Sequence, residues 1–128
     1  MAITIDTITK NAMLEQIETR TKAGSTYTYP RWAYYEGSTL LASVDLSASE
    51  PFDPASSGEI VLNAVQDGTE WAALSITPVA AGTCDSIQLQ NRDYVAITTL
   101  TGANMGMSET ELTTSTPITF TAAPKWSI

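Results

Sequence analysis

The stretch Thr26–Leu46, TYTYPRWAYYEGSTLLASVDL, decides the fold. Tyr27, Tyr29, Trp32, Tyr34 and Tyr35 suit a strand, because large flat side chains pack well on a half-buried pleated surface. Pro30 offers no N–H to a ladder, so an edge position or a bulge is expected there. Gly37-Ser38 then turns the chain into Thr39–Leu46. In that second strand Leu40, Ala42, Val44 and Leu46 fall on one side, and Leu41, Ser43 and Asp45 on the other. A period of two with one apolar side is that of a half-buried strand.

Upstream of Gly24 the period is that of a helix. Ile8, Ala12, Met13, Ile17 and Thr21 recur at three- and four-residue spacing, which predicts a helix over residues 7–23. Asp6, Thr7 or Thr9 can cap its first free N–H groups. Arg20 and Lys22 suit the negative end of its dipole, and Gly24 can take the left-handed stop. The face of Ile8, Met13 and Ile17 is expected to pack on the sheet or on a neighbouring subunit.

Downstream, Ser47–Ser57 reads as a loop carrying Pro51 and Pro54, with Phe52 anchoring it to the body. Glu59–Val65 and Glu70–Thr77 read as strands flanking Asp67-Gly68, a hairpin signal. Thr83–Leu89 and Tyr94–Leu100 form a further pair around Asn91-Arg92-Asp93. Gly102–Ser108 is a connection, Ile118–Ala122 a last strand, and residues 123–128 a tail. One domain over 1–128 is expected: the helix, then a β body over about 26–122 of seven or eight short strands, arranged as a β-sandwich or jelly roll.

Composition restricts the chemistry. The 128 residues include no histidine and one cysteine, so the commonest acid–base residue near neutral pH and the commonest metal ligand are both missing. Cys84 has no partner for an intramolecular disulfide and no histidine to activate it, and reads as a small core hydrophobe. Fourteen acidic against six basic residues give a net charge of −8. Such a charge repels a phosphate backbone, keeps a protein soluble, and argues against direct nucleic-acid binding. The start, Met-Ala-Ile-Thr-Ile-Asp, lacks a basic segment followed by an apolar one. No apolar run approaches the roughly 20 residues that span a bilayer. Folding in a cytoplasm, without membrane association, is the expectation.

Carboxylates are scattered. Glu15 and Glu18 suit a solvated helix surface, Asp45, Asp53 and Asp67 suit strand ends and turns, and only Glu109 and Glu111 share strand spacing. No catalytic residue, metal ligand or cofactor site is predicted. The candidate interface is aromatic: Tyr27, Tyr29, Trp32, Tyr34, Tyr35 and Trp126. The simplest reading of the first five is alternating core and cross-strand pairs; the other is an exposed platform that stacks on sugars or anchors a protein. Trp126, in a proline-led tail, is free to dock on a neighbour or to fold back.

The order of segments resembles small virion proteins of tailed bacteriophages. The resemblance rests on Asn11–Ile17 with Ala23-Gly24, on Gly37–Ser47 followed by Phe52 and the segment Ala55-Ser56-Ser57-Gly58 through Asn63-Ala64, and on the Thr119-Phe120-Thr121 ending. The aromatic strand, the Met105–Met107 loop and the longer tail depart from it. The resemblance implies a non-enzymatic capsid decoration, or cement, protein. Such a protein is made in the bacterial host cytoplasm, resides in the virion, binds the major capsid protein and forms a homo-oligomer, most simply a trimer. A tail, connector or fibre-associated protein shares the composition. A carbohydrate-binding module using the Tyr27–Tyr35 aromatics and a small hydrolase with two carboxylates are the other classes.

Overall fold

The structure, a computed structural model, describes residues 4–66, 68–107, 109–120 and 123–128. Asp6 begins the first element: its Oδ1 accepts the Thr9 N–H at 2.7 Å, capping helix α1, Thr7–Thr21. The helix ends beside Gly24, whose φ of +105° lies in the region that glycine alone adopts freely. A Cβ there would also meet the Asp93 carboxyl carbon at 2.8 Å.

Twelve short strands follow among the described residues. They are β1 Arg31–Glu36, β2 Thr39–Asp45, β3 Glu59–Val61, β4 Val65–Gln66, β5 Thr69–Glu70, β6 Ser75–Ile76, β7 Gly82–Thr83, β8 Ser86–Gln90, β9 Ala96–Thr101, β10 Glu111–Leu112, β11 Ile118–Thr119 and β12 Lys125–Ser127. The main sheet has four antiparallel strands in the order β2-β1-β8-β9. Four two-stranded antiparallel ladders, β10-β7, β11-β6, β12-β3 and β4-β5, complete the set. The fold is therefore mainly β with one N-terminal helix. The sheets are small and not closed, and the strands outnumber the seven or eight expected because several of those runs break. Glu59–Val65 divides into β3 and β4, and Glu70–Thr77 is interrupted by a 3-10 turn at Trp71–Ala73.

Residues of the main sheet alternate between two faces. Inward point Trp32 and Tyr34 of β1, Ala42 and Val44 of β2, and Ile87 and Leu89 of β8, all buried. Leu41, expected on the polar side of β2, is also fully buried. The reason is a bulge: Tyr34 pairs with Ala42 and Tyr35 with Leu40, leaving Leu41 as an extra residue. Its carbonyl accepts the Val79 N–H at 2.7 Å, so the irregularity also ties down a loop.

Aromatic rings fill the space beneath the inner face. Trp32 makes edge-on contacts with Trp71 and Trp126, both at 6.1 Å between ring centroids. Phe52 meets Trp126 at 5.5 Å, and Trp71 meets Phe120 at 4.8 Å. Such pairs favour tilted geometry because ring edges are positive and faces negative. Phe52 thus anchors its loop, helped by Gln66, which is buried with both amide atoms hydrogen-bonded. Its Oε1 accepts the Ser47 N–H at 2.7 Å, and its Nε2 donates to the carbonyls of Pro51 and Asn63.

Two expectations are corrected here. The segment read as a tail is β12, paired with β3 through Trp126 opposite Ile60. An indole that finds two aromatic partners gains more from burial than from water. The helix, in turn, buries Leu14 and Thr21 and half-buries Ile17, while Ile8 and Met13 are 83% and 47% exposed. Nine residues at about 100° each place Ile17 on the opposite side from Ile8; the three- and four-residue steps had drifted round the helix. Its buried side packs near β3 and β9. The strand expected at Ile118–Ala122 is seen as β11 at Ile118–Thr119, its last two residues lying outside the described ones, as does Asp67 of the expected turn.

Candidate functional site

The outward face of the main sheet carries Arg31, Ala33 and Tyr35 from β1 and Gln88 and Gln90 from β8, brought side by side by the register Arg31↔Gln90 and Ala33↔Gln88. Four of these side chains interlock. Arg31 Nε donates to Gln90 Oε1 at 2.6 Å, and Arg31 Nη2 donates to Tyr35 Oη at 3.1 Å. Gln90 Nε2 donates to Tyr35 Oη at 2.8 Å and to Gln88 Oε1 at 2.9 Å. Arginine is only a donor, so the Gln90 amide can point only its oxygen toward Arg31. The orientation of the whole network follows from that.

Two tyrosines extend the network at one end. The Arg31 guanidinium carbon lies 3.6 Å from the centroid of the Tyr94 ring, and the Tyr27 ring stacks on Tyr94 at 3.8 Å and 8°. A cation over a tyrosine face contributes about 0.5–1 kcal/mol at an exposed site. Tyr94 is held in this stack with φ +60°, a left-handed conformation that a bulky side chain rarely adopts. Strain of that kind costs on the order of 1–3 kcal/mol and persists only where the surroundings fix it.

Here a tight turn fixes it. Asn91 Oδ1 accepts the N–H groups of Asp93 and Val95 at 2.8 and 3.0 Å. Asp93 Oδ1 accepts those of Ser25 and Thr26 at 3.0 and 2.9 Å. Hydrogen bonds from the Thr26 side chain and backbone, then from Ser25, hold the Asp93 carboxyl below its usual 3.8. Arg92 adds an Nε donation to the Tyr27 carbonyl at 3.0 Å, while the Tyr27 N–H donates to the Arg92 carbonyl at 2.9 Å. The segment after the helix and the β8–β9 turn are thereby one unit.

The aromatic candidates divide by face. Tyr27 and Tyr29 are 44% and 39% exposed, and Tyr35 is half-buried on the outward face. Trp32 and Tyr34 face the core and are shut off from solvent. The Trp32 indole donates to Tyr34 Oη at 3.2 Å, and burial pushes the Tyr34 hydroxyl up to about 12. Trp126 lies half-buried against Trp32 and Phe52. Alternation along a strand separates the Tyr35 side from the Trp32 and Tyr34 side, so a run of aromatics cannot form one platform. Sequence reasoning missed Tyr94, Arg31 and Gln90, which lie next to Tyr27 only through strand pairing. The available signal was the isolated Arg31 within an aromatic run.

Other chemistry-bearing groups stand apart. Glu109 and Glu111 line a cavity of about 440 Å³ beneath the inner face, with Glu109 Oε1 accepting the Glu111 N–H at 3.0 Å. Cys84 is buried, which raises its thiol pKa. Among the described residues no three His, Cys, Asp or Glu side chains gather into a metal-binding group, and no helix is long and apolar enough to cross a membrane. Comparison with known proteins matches this chain to no family model, no curated protein and no solved structure.

Proposed function

We propose that this chain is a non-enzymatic structural protein of a tailed-bacteriophage particle, a capsid decoration protein that docks on the major capsid protein through the outward face of its main sheet. The observation that carries the reading is the Tyr27–Tyr94–Arg31 stack, assembled with strained backbone and leaving the Tyr27 ring 44% exposed. Rigid aromatic and arginine groups are the usual anchors of protein interfaces, since little side-chain entropy remains to be lost on binding. The resemblance of the segment order to small virion proteins supplies the particle. The small ladders serve there as the second layer of a sandwich-like body, and a homotrimer would repeat one weak contact three times on a local three-fold.

Co-sedimentation with undecorated capsids tests this. Wild-type protein should pellet with them, and Tyr27→Ala combined with Tyr94→Ala should abolish pelleting while the chain stays folded. Binding to tail assemblies and not to capsids would move the protein to the tail, connector or fibre. A carbohydrate-binding module is the second reading, favoured by the half-exposed Tyr27 ring beside amide and guanidinium donors. Saturable binding to immobilised glycans that the same double substitution removes would select it.

A further inference from the structure

The hydrogen-bonding capacity of the outward face is lopsided. Arg31 has five N–H donors; two are used, on Gln90 and Tyr35. Its other N–H groups meet no partner among the described residues, and none of its nitrogens is sealed from solvent without one. Tyr35 Oη already accepts two hydrogen bonds, from Arg31 and from Gln90, so its own proton is left to donate outward. Donors therefore remain where acceptors have been used, and the guanidinium is held in plane by Tyr94. What is missing is a planar acceptor.

None comes from within the chain, acidic as it is. Among the described residues the sole ion pair is Lys125–Glu59 at 3.6 Å, far along the sequence from this face. Asp45 stands opposite Arg31 in register, yet its carboxylate stays beyond ion-pair distance. Charge is also distributed unevenly. Four of the six basic residues, Arg20, Lys22, Arg31 and Arg92, belong to segments 20–31 and 90–95, which the bonds around Asp93 and Tyr27 tie together.

We infer that this end of the molecule binds an acidic segment of a partner protein, with the free edge of Arg31 and the Tyr35 hydroxyl receiving one carboxylate. An arginine fork matches a carboxylate with two parallel hydrogen bonds. At physiological salt, charges beyond about 8 Å are largely screened, so a short acidic segment is attracted by the basic end without strong opposition from the acidic body. A long polyanion such as nucleic acid would run onto that body and be repelled. The inference deepens the docking reading and rests on it, but its test requires no particle.

The test titrates the full-length 15N-labelled chain at low salt with an acetylated hexapeptide of alternating Glu and Gly, and with its Gln counterpart. The Glu peptide should shift the Arg31 side-chain Nε–Hε signal saturably, and the Gln peptide should not. Arg31→Lys, which keeps the charge and loses the fork, should weaken binding at least fivefold. Asp45→Asn, which removes the carboxylate opposite Arg31 in register, should tighten it. Equal response to both peptides, or unchanged affinity in Arg31→Lys with an unchanged thermal melt, would overturn the inference. So would a stronger response to glucuronate or to a short single-stranded DNA. If Tyr27-dependent capsid binding is found but the Glu peptide fails, docking stands and the carboxylate assignment falls. Peptide binding without capsid binding retains the carboxylate site and removes the capsid.

Discussion

The two faces of the main sheet use the same strands for opposite ends. On the inner face Trp32, Tyr34, Ile87 and Leu89 lose almost all contact with water, and the ring contacts are edge-on or tilted. On the outer face Arg31, Tyr35, Gln88 and Gln90 hold one another through hydrogen bonds; Gln90 is buried, while Arg31, Tyr35 and Gln88 remain partly exposed. Burial of apolar area contributes most of a fold's stability; a solvated polar network contributes little net energy but fixes geometry. Inner-face substitutions should therefore change stability, and outer-face substitutions recognition.

The largest effect that could break this contrast lies at the C-terminus. Truncation after Pro124, or Trp126→Ala, removes the ring that Trp32 and Phe52 pack against, and should cost about 3–5 kcal/mol in urea unfolding. An unchanged midpoint would place Trp126 outside the core. Next comes Tyr34→Phe, which leaves the buried Trp32 indole N–H without its acceptor and should cost about 1–3 kcal/mol.

Thr98→Val has the opposite sign. Thr98 Oγ1 is buried on the inner face opposite Leu89 with no hydrogen-bond partner among the described residues, so replacing the hydroxyl by a methyl should raise stability by about 1 kcal/mol. On the outer face Tyr27→Ala should cost only about 1 kcal/mol, the scale of one stacked pair, while weakening partner binding far more. A loss of several kcal/mol there would erase the distinction between the faces.

The smallest effect is the pH response of the turn behind Tyr94. Asp93 is held below its usual 3.8 when folded, so the unfolded chain takes up the proton first as the medium becomes acid. The resulting stabilisation is present above that ordinary value and is lost as the pH falls through it toward the lower folded value. Unfolding midpoints compared at pH 7 and pH 3 should differ less in Asp93→Asn than in the wild type.

Much of this organisation was legible from local pattern. The period change at Gly24, the Gly37-Ser38 turn and the buried set Ala42, Val44 and Leu46 all follow from residue spacing. Leu41 was illegible because a bulge depends on what the partner strand presents, and Trp126 because its partner β3 lies about half the chain away. The aromatic run was visible while its division between two faces needed the register. Tyr94 could not be seen as a neighbour of Tyr27, since 67 residues separate them and only the Asn91–Asp93 turn brings them together.

Gly58 has a consequence for the topology of the chain as a whole. Its N–H donates to Asn11 Oδ1 of the helix at 2.9 Å, and its carbonyl accepts the Ile128 N–H at 3.2 Å. A methyl group placed on it would lie 3.3 Å from the Lys10 side chain and 3.7 Å from the Ile128 carbonyl. Helix α1 and Ile128, which follows β12, therefore meet at Gly58, so one loop residue couples the helix to the β3–β12 ladder.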